Sequence, residues 1–388
     1  MSVSTAGRRA RPAFPAALLS SVLSAVLAFG LSACGVGAGN SGGVGDARET
    51  SFDTALDALP KADAVPPAAD ARDVSFAGYV GDVTPVTTDA APALPVNLTD
   101  ADGEDVTVTD VSRIVPLDIS GTISRTLAGL GLRDNIVGRS VSSMEPSLAD
   151  LPVVTHGGHS ISAEAVLNLD PTLIILNDSI GPEDAVQQIR DAGVPVVKLE
   201  DPEYTEESVR ESITTVADVV GLSGEGRTLA DRAADEADRA RSAIGDLASG
   251  ATGGTPLRAA FLYARGDGGV FYILGPDSGT SELIEGLGAV DVAKENGITD
   301  MAPANAEALA KLDPDIFVMM SAGLESTGNI DGLLARPGIA QTKAGQHRRI
   351  LAIPDSQALS FGPQTGEMLL SAASALYDPD AHREATSS

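Results

Sequence analysis

The chain has 388 residues, a formal net charge of −28, 43% apolar residues and a single cysteine. This length and apolar content are enough for a two-lobed body with a sizeable core. The acidic balance excludes nucleic-acid binding, which needs clustered lysine and arginine, and a single cysteine excludes an internal disulfide.

Residues 1–33 have the order of a secretory signal peptide. Three arginines within residues 8–11 are followed by a largely apolar stretch from about residue 15 to residue 31. That stretch is short for a spanning helix, which needs about 20 residues. Leu31-Ser-Ala-Cys34 comes next and matches the bacterial lipobox, in which the cysteine is acylated. We therefore expect lipidation at Cys34, which would hold the protein on the membrane surface without spanning it.

Residues 34–92 are rich in glycine, alanine, proline, aspartate and serine, and periodic apolar patterns are sparse. A segment of this kind buries too little surface to offset its ordering entropy. The composition predicts a disordered, acidic tether, with Tyr79 as an ordinary tether residue.

The folded body is predicted to start at residue 93. Alternating residues around Asp102-Gly indicate a hairpin over 94–109. A buried strand is predicted at 113–117, a helix over 121–132 and a further strand at 136–138. Short strands that alternate with helices predict an α/β lobe with a parallel sheet, and we assign this N-terminal lobe to residues 93–222.

An internal repeat predicts a second, similar lobe. Six residues of the first block recur 143 positions later: Ala163, Glu164, Ala165, Leu169, Asp170 and Pro171. Each block is predicted to form a short helix, a turn at Asp-Pro and a buried strand. Gly121-Thr and Gly129-Leu-Gly also reappear, at Gly279 and Gly286. The second lobe is assigned to residues 251–382.

Two helices are predicted between the lobes. Residues 206–220 carry an apolar stripe at helical spacing. Ser223 is the expected N-cap of a second helix over about 224–248, which would be about 37 Å long at 1.5 Å per residue. A stiff connecting helix, assigned to residues 223–250, would limit the motion of the lobes.

With its lipobox, two α/β lobes and long connecting helix, the chain resembles the class III periplasmic-type binding proteins of ABC importers. Within that class it is most similar to the haem-binding lipoproteins of actinobacterial haem importers. Four segments carry this likeness: Thr155-His-Gly-Gly-His-Ser-Ile-Ser-Ala-Glu, Tyr263-Ala-Arg-Gly, Met319-Met-Ser-Ala-Gly-Leu-Glu-Ser and Asp331-Gly-Leu-Leu-Ala-Arg-Pro-Gly-Ile-Ala-Gln-Thr.

The resemblance implies a fold of two similar lobes, each with a central parallel sheet flanked by helices, joined by one long helix. It also implies a function. The protein would be a lipid-anchored monomer on the extracytoplasmic side of the cell membrane, and not an enzyme. It would capture haem between its lobes and deliver it to an ABC permease and its ATPase.

Candidate ligands follow strand ends, where the cleft of a two-lobed binder lies. His156 and His159 follow a strand in the first lobe, and Tyr263 and Arg265 follow a strand in the second. Imidazole and phenolate are both haem-iron ligands, and an arginine two residues along a strand faces the same way and can stabilise the phenolate.

The resemblance implies that His159 and Tyr263 bind the haem iron. The residues alone do not separate His159 from His156. Met319 and Met320 are expected to line the pocket, since thioethers pack well on flat rings. If Tyr263 is not the iron ligand, Tyr272 is the alternative.

Docking to the permease is expected to use an acidic side chain on each lobe, because members of the family meet permease arginines in this way. Glu164 fits the first lobe, and Glu282 or Glu285 fits the second. A charge pair at each end would fix orientation and speed encounter.

Three alternatives remain open. In the first, the protein has the same role but carries a corrinoid or a ferric siderophore. In the second, it binds zinc or manganese through His156 and His159. In the third, it is an interaction lipoprotein without a small ligand. The sequence contains neither a nucleophile elbow nor a phosphate loop, so no motif of this kind favours an enzyme. His347 and His382 are given no role.

Overall fold

The computed structural model describes residues 51–201, 205–266 and 269–383. The predicted signal peptide and the lipidation site at Cys34 lie outside these residues.

The N-terminal lobe is built around a parallel sheet of three strands, in the order β4 (Ile114–Leu117), β7 (Leu173–Asn177) and β8 (Val196–Leu199). Val115 pairs with Ile174, and Ile175 with Val197. The elements of this lobe are β2 (Val96–Thr99), β3 (Asp105–Val108), β4 (Ile114–Leu117), α2 (Thr122–Gly129), β5 (Thr155–His156), β6 (Ser160–Ile161), α3 (Ala163–Leu167), β7 (Leu173–Asn177), α4 (Glu183–Asp191), β8 (Val196–Leu199) and α5 (Glu206–Val219).

The C-terminal lobe has a larger, mixed sheet in the order β1-β14-β13-β9-β10-β12, with β11 also paired to β9. Strands β1, β14, β13 and β9 are parallel, whereas β10 is antiparallel to β9 and β12. The strands are β1 (Val74–Phe76), β9 (Arg258–Arg265), β10 (Val270–Leu274), β11 (Val290–Asp291), β12 (Met301–Pro303), β13 (Ile316–Met320) and β14 (Ile350–Ile353).

Helices cover this sheet and connect it to the first lobe. Helix α6 has 30 residues, which corresponds to about 45 Å. The helices are α1 (Phe52–Asp57), α6 (Ser223–Thr252), α7 (Thr280–Gly286), α8 (Val292–Glu295), α9 (Ala306–Leu312), α10 (Ser321–Ser326), α11 (Asn329–Leu334), α12 (Lys343–Gln346), α13 (Asp355–Ala358) and α14 (Thr365–Tyr377).

The prediction of a disordered tether is wrong for residues 51–92. Phe52 is buried in the core of the C-terminal lobe, and β1 pairs in parallel with β14 at the edge of the sheet. A few well-spaced apolar residues anchor a segment whose composition resembles a linker. We call residues 51–92 the strap.

The strap connects both lobes. Ser371 Oγ in α14 donates to the carbonyl of Gly78 at 2.8 Å, and Val86 N–H donates to the carbonyl of Gly129 at 2.8 Å. The C-terminal lobe therefore receives its edge strand from residues that precede the N-terminal lobe, which the proposed lobe boundaries did not foresee.

The hairpin, the internal repeat and the connecting helix are confirmed. Val96 pairs with Val108 across the hairpin. Asp170 and Asp313 both adopt positive φ, 46° and 38°, where each repeat turns from helix to strand. The glycines before α2 and α7 also share a left-handed conformation; a Cβ on Gly121 would lie 2.7 Å from the Ser142 carbonyl.

Two local predictions differ from the structure. Residues 136–138 form only a single bridge, between Ile136 and Ile114, instead of a strand. Ser223 is the first residue of α6, and Leu222 is its N-cap; the Ser223 hydroxyl donates to the Asp218 carboxylate.

Candidate functional site

The second lobe brings four polar or polarisable side chains together. Strands β9, β13 and β14 are parallel neighbours, so their carboxyl ends lie at one edge of the sheet. Tyr263 and Arg265 lie at the end of β9, Met320 ends β13, and Asp355 follows β14. The sequence analysis named Tyr263 and Arg265 from their spacing and Met320 as a pocket residue, whereas it did not name Asp355, because only the sheet order places Asp355 beside them.

Arg265 is the centre of this group. Its guanidinium carbon lies 4.9 Å from the centroid of the Tyr263 ring. Its Nη2 donates to Asp355 Oδ1 at 2.7 Å and lies 3.0 Å from Met320 Sδ. The positive charge is thus close to the phenol, as the i, i+2 spacing predicted, and we call these four residues the tyrosine cluster.

The two methionines have different environments. Met320 is half-buried and in contact with Arg265. Met319 is 0% exposed, because the alternation of β13 directs it into the opposite core with Phe317 and Leu262. The prediction that Met319 lines the pocket is therefore wrong. Tyr272 lies directly opposite Tyr263 in the β9–β10 pair and is half-buried.

The two candidate histidines lie in one small hairpin of the first lobe. His156 pairs with Ser160, and Gly157 and Gly158 form the turn with positive φ of 59° and 93°. Both imidazoles are exposed. The carbonyl of His159 accepts from Gly181 N–H at 3.0 Å. This bond attaches the hairpin to the loop after β7, at the carboxyl edge of the sheet.

A cavity of about 270 Å³ lies between the lobes. Loops after β4, β7 and β8 form one side, and residues of the second lobe form the other. The lining residues are Ile119, Ser120, Thr122, Asn177, Ser179, Asp201, Val209, Ser212, Asp277, Leu359 and Phe361. His159 and Tyr263 are not among them. The structure therefore places the candidate ligands at the carboxyl edges of the two sheets but does not join them in this cavity.

Exposed apolar side chains flank the first-lobe side of the cleft. Ile119 is 55% exposed and lines the cavity, and Val141 and Met144 are 46% and 49% exposed. Val141 N–H donates to Thr155 Oγ1 at 2.8 Å, so this group adjoins the histidine hairpin. Ile119 therefore adds an exposed apolar side chain to the wall of the cavity. The sequence analysis did not identify these three residues, because isolated apolar residues in loops carry no pattern.

A buried arginine joins the two lobes beneath the cleft. Arg125 of α2 is 1% exposed. Its guanidinium donates to the Ser360 hydroxyl and the Ser356 carbonyl of the second lobe, each at 2.8 Å. Thr122 Oγ1 is 3.3 Å from Ser360 Oγ. We call this set of contacts the interlobe latch.

Carboxyl groups and a tyrosine surround the latch. Burial raises the pKa of Asp118 and of Glu145, and the Arg125 charge opposes the shift in each case. Burial also raises the pKa of Tyr79 to about 12. Within the part of the chain that the structure describes, the buried Tyr79 hydroxyl makes no hydrogen bond of good geometry. Tyr79 is therefore part of the lobe interface, and its assignment to a tether is wrong.

The candidate docking glutamates lie on the surface of short helices. Glu164 is exposed in the first turn of α3. Glu282 lies in the first turn of α7, 3.8 Å from Arg241, and Glu285 forms a 2.7 Å ion pair with Lys294.

The other histidines lie outside this cleft. His347 and His382 are half-buried, and burial lowers the pKa of each. Within the described ranges, no three His, Cys, Asp or Glu side chains are grouped so as to hold a metal ion. In the same part of the chain, no helix is both long and apolar enough to cross a membrane.

Comparisons with known proteins agree with this architecture. Residues 119–357 match the family model described as periplasmic binding protein. No curated protein gives a significant match.

Among solved structures, heme binding protein HmuT is 58% identical over 80% of this chain and 99% of that protein, with a TM-score of 0.75. Further HmuT structures carry a histidine, a tyrosine or an arginine changed to alanine. The periplasmic heme-binding protein RhuT from Roseiflexus sp. RS-1 is 33% identical over 71% of this chain and 100% of that protein, with a TM-score of 0.62.

A structure of the periplasmic heme-binding protein BhuT in complex with two hemes is 28% identical over 68% of this chain and 99% of that protein, with a TM-score of 0.58. These relatives are transport proteins and not enzymes. The expected class III fold is confirmed, and the chain belongs to the periplasmic binding protein family.

Proposed function

We propose that this protein captures haem between its two lobes and delivers it to the permease and ATPase of an ABC importer, as a monomer. The observation that carries the proposal is the tyrosine cluster, in which Arg265 lies over the Tyr263 ring. The similarity to several heme-binding proteins supports the choice of cargo.

In the proposed complex, each lobe supplies one ligand to the haem iron, and other residues contact the macrocycle. Tyr263 supplies a phenolate for ferric iron from the second lobe, and His159 supplies an imidazole from the first. His156, in the same hairpin, is the alternative to His159. Met320 and the exposed Ile119, Val141 and Met144 provide apolar and thioether surface for the macrocycle faces.

A hemin titration tests the cargo and the ligand. The chain without its first 33 residues should give a saturable Soret change with bands typical of a ferric phenolate. Tyr263→Phe should abolish those bands, whereas Tyr272→Phe, its neighbour across the β9–β10 pair, should retain them. Saturable binding of a corrinoid or a ferric siderophore without any hemin response would overturn the haem proposal and leave the family assignment intact.

Delivery to the permease is proposed to use Glu164 on one lobe and Glu282 on the other. Glu285 is the alternative to Glu282, although its ion pair with Lys294 occupies its carboxylate. Glu164→Lys and Glu282→Lys should each stop haem-dependent growth while leaving hemin binding unchanged, because rim charges act on encounter and orientation. Loss of hemin binding in either variant would contradict a docking role.

Family membership implies an extracytoplasmic location. We propose further that Cys34 is acylated and anchors the protein to the cell membrane after removal of residues 1–33. Cys34→Ala should move the protein from the membrane fraction to the medium, and mass spectrometry of the wild type should find a diacylglyceryl group on the first residue. Release of the wild type into the medium would contradict the anchor.

A further inference from the structure

Asp355 has the contacts of a residue that fixes another side chain. Its Oδ1 accepts from Arg265 Nη2 at 2.7 Å, and its Oδ2 accepts from the Ala322 N–H at 2.9 Å. The second bond ties the carboxylate to the first turn of α10, so the side chain is held from both ends. The side chains of Asp355 and Arg265 are 29% and 34% exposed, so the pair is partly accessible at the surface of the second lobe.

The backbone that carries Asp355 is also held. The next residue, Ser356, accepts through its carbonyl from Arg125 of the first lobe at 2.8 Å. Gln357 exchanges two hydrogen bonds with the backbone of Val80 in the strap, at 3.2 and 3.0 Å. The carboxylate therefore projects from a segment fixed to both lobes and to the strap.

Arg265 keeps N–H groups that its contacts with Ala264, Asp355 and Met320 do not use. Within the described residues, Arg265 Nη1 donates to the Ala264 carbonyl, and Nη2 contacts Asp355 and Met320. Nε–H and one Nη1–H remain of its five N–H groups. A long, flexible side chain loses rotamer entropy when it is held in one place, and the Asp355 contact stabilises the placement over Tyr263.

We propose that Asp355 is a positioning residue for the Tyr263 ligand, because its carboxylate holds Arg265 beside the phenol. The proposal rests on the proposed role of Tyr263 in haem binding. Asp355 acts through Arg265 and does not itself touch the iron. Its charge has the opposite effect on the phenolate, since a nearby carboxylate disfavours a second negative charge.

These two effects separate in different substitutions. Asp355→Ala removes the anchor, so Arg265 leaves the ring and the phenolate loses its stabilising partner. Asp355→Asn keeps an oxygen acceptor for the guanidinium and removes only the charge. If Asp355 acted by charge alone, both variants would favour the phenolate. If it served only to cap α10, neither would affect the phenolate.

The first experiment uses the haem-free chain without its first 33 residues. The position of Arg265 is read from crystal structures of the wild type, Asp355→Ala and Asp355→Asn. In the wild type and in Asp355→Asn the guanidinium carbon should lie close to the 4.9 Å from the Tyr263 ring centroid described above, whereas in Asp355→Ala the guanidinium should have left the ring. In an Arg265→Ala background, Asp355→Ala should cause no further loss of hemin affinity, because residues that act through one another are not additive.

Several outcomes would overturn the proposal: a guanidinium that stays over the Tyr263 ring in Asp355→Ala, one that leaves the ring in Asp355→Asn as well, or a loss of hemin affinity in Asp355→Ala that persists without Arg265. If Asp355→Ala does not fold by circular dichroism, Asp355→Ser replaces it, since a hydroxyl can still cap α10 but is too short to hold the guanidinium.

The hemin-loaded protein provides an independent result. Asp355→Ala should weaken the ferric-phenolate bands and lower hemin affinity by about tenfold, equal to about 1.4 kcal/mol, whereas Asp355→Asn should retain both. If the wild type has no such bands, the haem proposal fails, while the structures of the haem-free variants still decide whether Asp355 positions Arg265.

Discussion

His156 and His159 flank the same glycine pair and offer a direct test of ligand choice. His159 lies at the end of the Gly157-Gly158 turn, and its carbonyl is bonded to Gly181, which fixes its backbone at the carboxyl edge of the sheet. We predict that His159→Ala weakens hemin binding by at least about tenfold, equal to about 1.4 kcal/mol.

His156→Ala is the matched control, since both side chains are exposed in the same hairpin. It should leave the hemin dissociation constant within about threefold of the wild type, equal to roughly 0.6 kcal/mol. A larger loss in His156→Ala than in His159→Ala, measured by the same Soret titration, would assign the ligand to His156.

A buried carboxyl group between α6 and α14 predicts a specific pH dependence. Burial, with the nearby Glu236 charge as a smaller cause, raises the pKa of Glu367 to about 7. Among the described residues, none forms a hydrogen bond with its Oε2. A raised carboxyl pKa means that the folded state holds the proton more tightly than the unfolded state. Its contribution is therefore complete below the unfolded pKa and is lost as pH rises through the folded pKa.

We predict that Glu367→Gln stabilises the protein increasingly between about pH 4.5 and pH 7. The gain in the free energy of unfolding should approach about 3 kcal/mol near pH 7, because each pKa unit corresponds to about 1.4 kcal/mol. Urea unfolding of both proteins at four or more pH values measures it. Two profiles that stay parallel across this range would show that Glu367 does not titrate as argued.

At the scale of the elements, the strap is the largest departure from expectation. Phe52 of α1 is 4% exposed and contacts the core near Gly366, and Arg239 of α6 lies 4.8 Å from the centre of its ring. Arg239 also forms an ion pair with Asp53. A short helix of six residues would not persist alone, so its stability comes from this packing.

Phe52→Ala should therefore lower the free energy of unfolding by about 3 kcal/mol, as for other buried aromatic residues. Urea unfolding measures the change, and Asp57→Ala, on the exposed side of the same helix, is the control. An unchanged unfolding midpoint in Phe52→Ala would mean that the strap is not part of the folded body in solution.

For the whole molecule, the interlobe latch limits how the cleft can open. Arg125 reaches from α2 to Ser356 and Ser360, and the segment that contains them also carries Asp355, Leu359 and Phe361. Separation of the lobes must break contacts of a buried guanidinium, which costs several kcal/mol when its partners stay buried. The latch thus adds to the stiffness expected from α6.

We predict that Arg125→Lys lowers the free energy of unfolding by about 3 kcal/mol and speeds amide hydrogen exchange in residues 355–361. Lysine retains the charge but cannot contact Ser356 and Ser360 with one planar group. Arg227→Lys, at an exposed position of α6, is the control. Exchange in residues 355–361 at the wild-type rate would show that the latch does not hold the lobes.

Local patterns determined much of this protein from the sequence. The Asp-Gly hairpin, the two Asp-Pro turns, the connecting helix and the Tyr263–Arg265 spacing depend on neighbours within a few residues, so they can be recognised from periodicity and turn chemistry.

The tertiary structure alone decided which distant residues meet. It paired β1 with β14, buried Met319 while leaving Met320 beside Arg265, and brought Asp355 to Arg265 and Arg125 to Ser360. These contacts join residues 55 or more positions apart. They follow from sheet order and from the packing of one lobe on the other, neither of which has a signature in the local sequence.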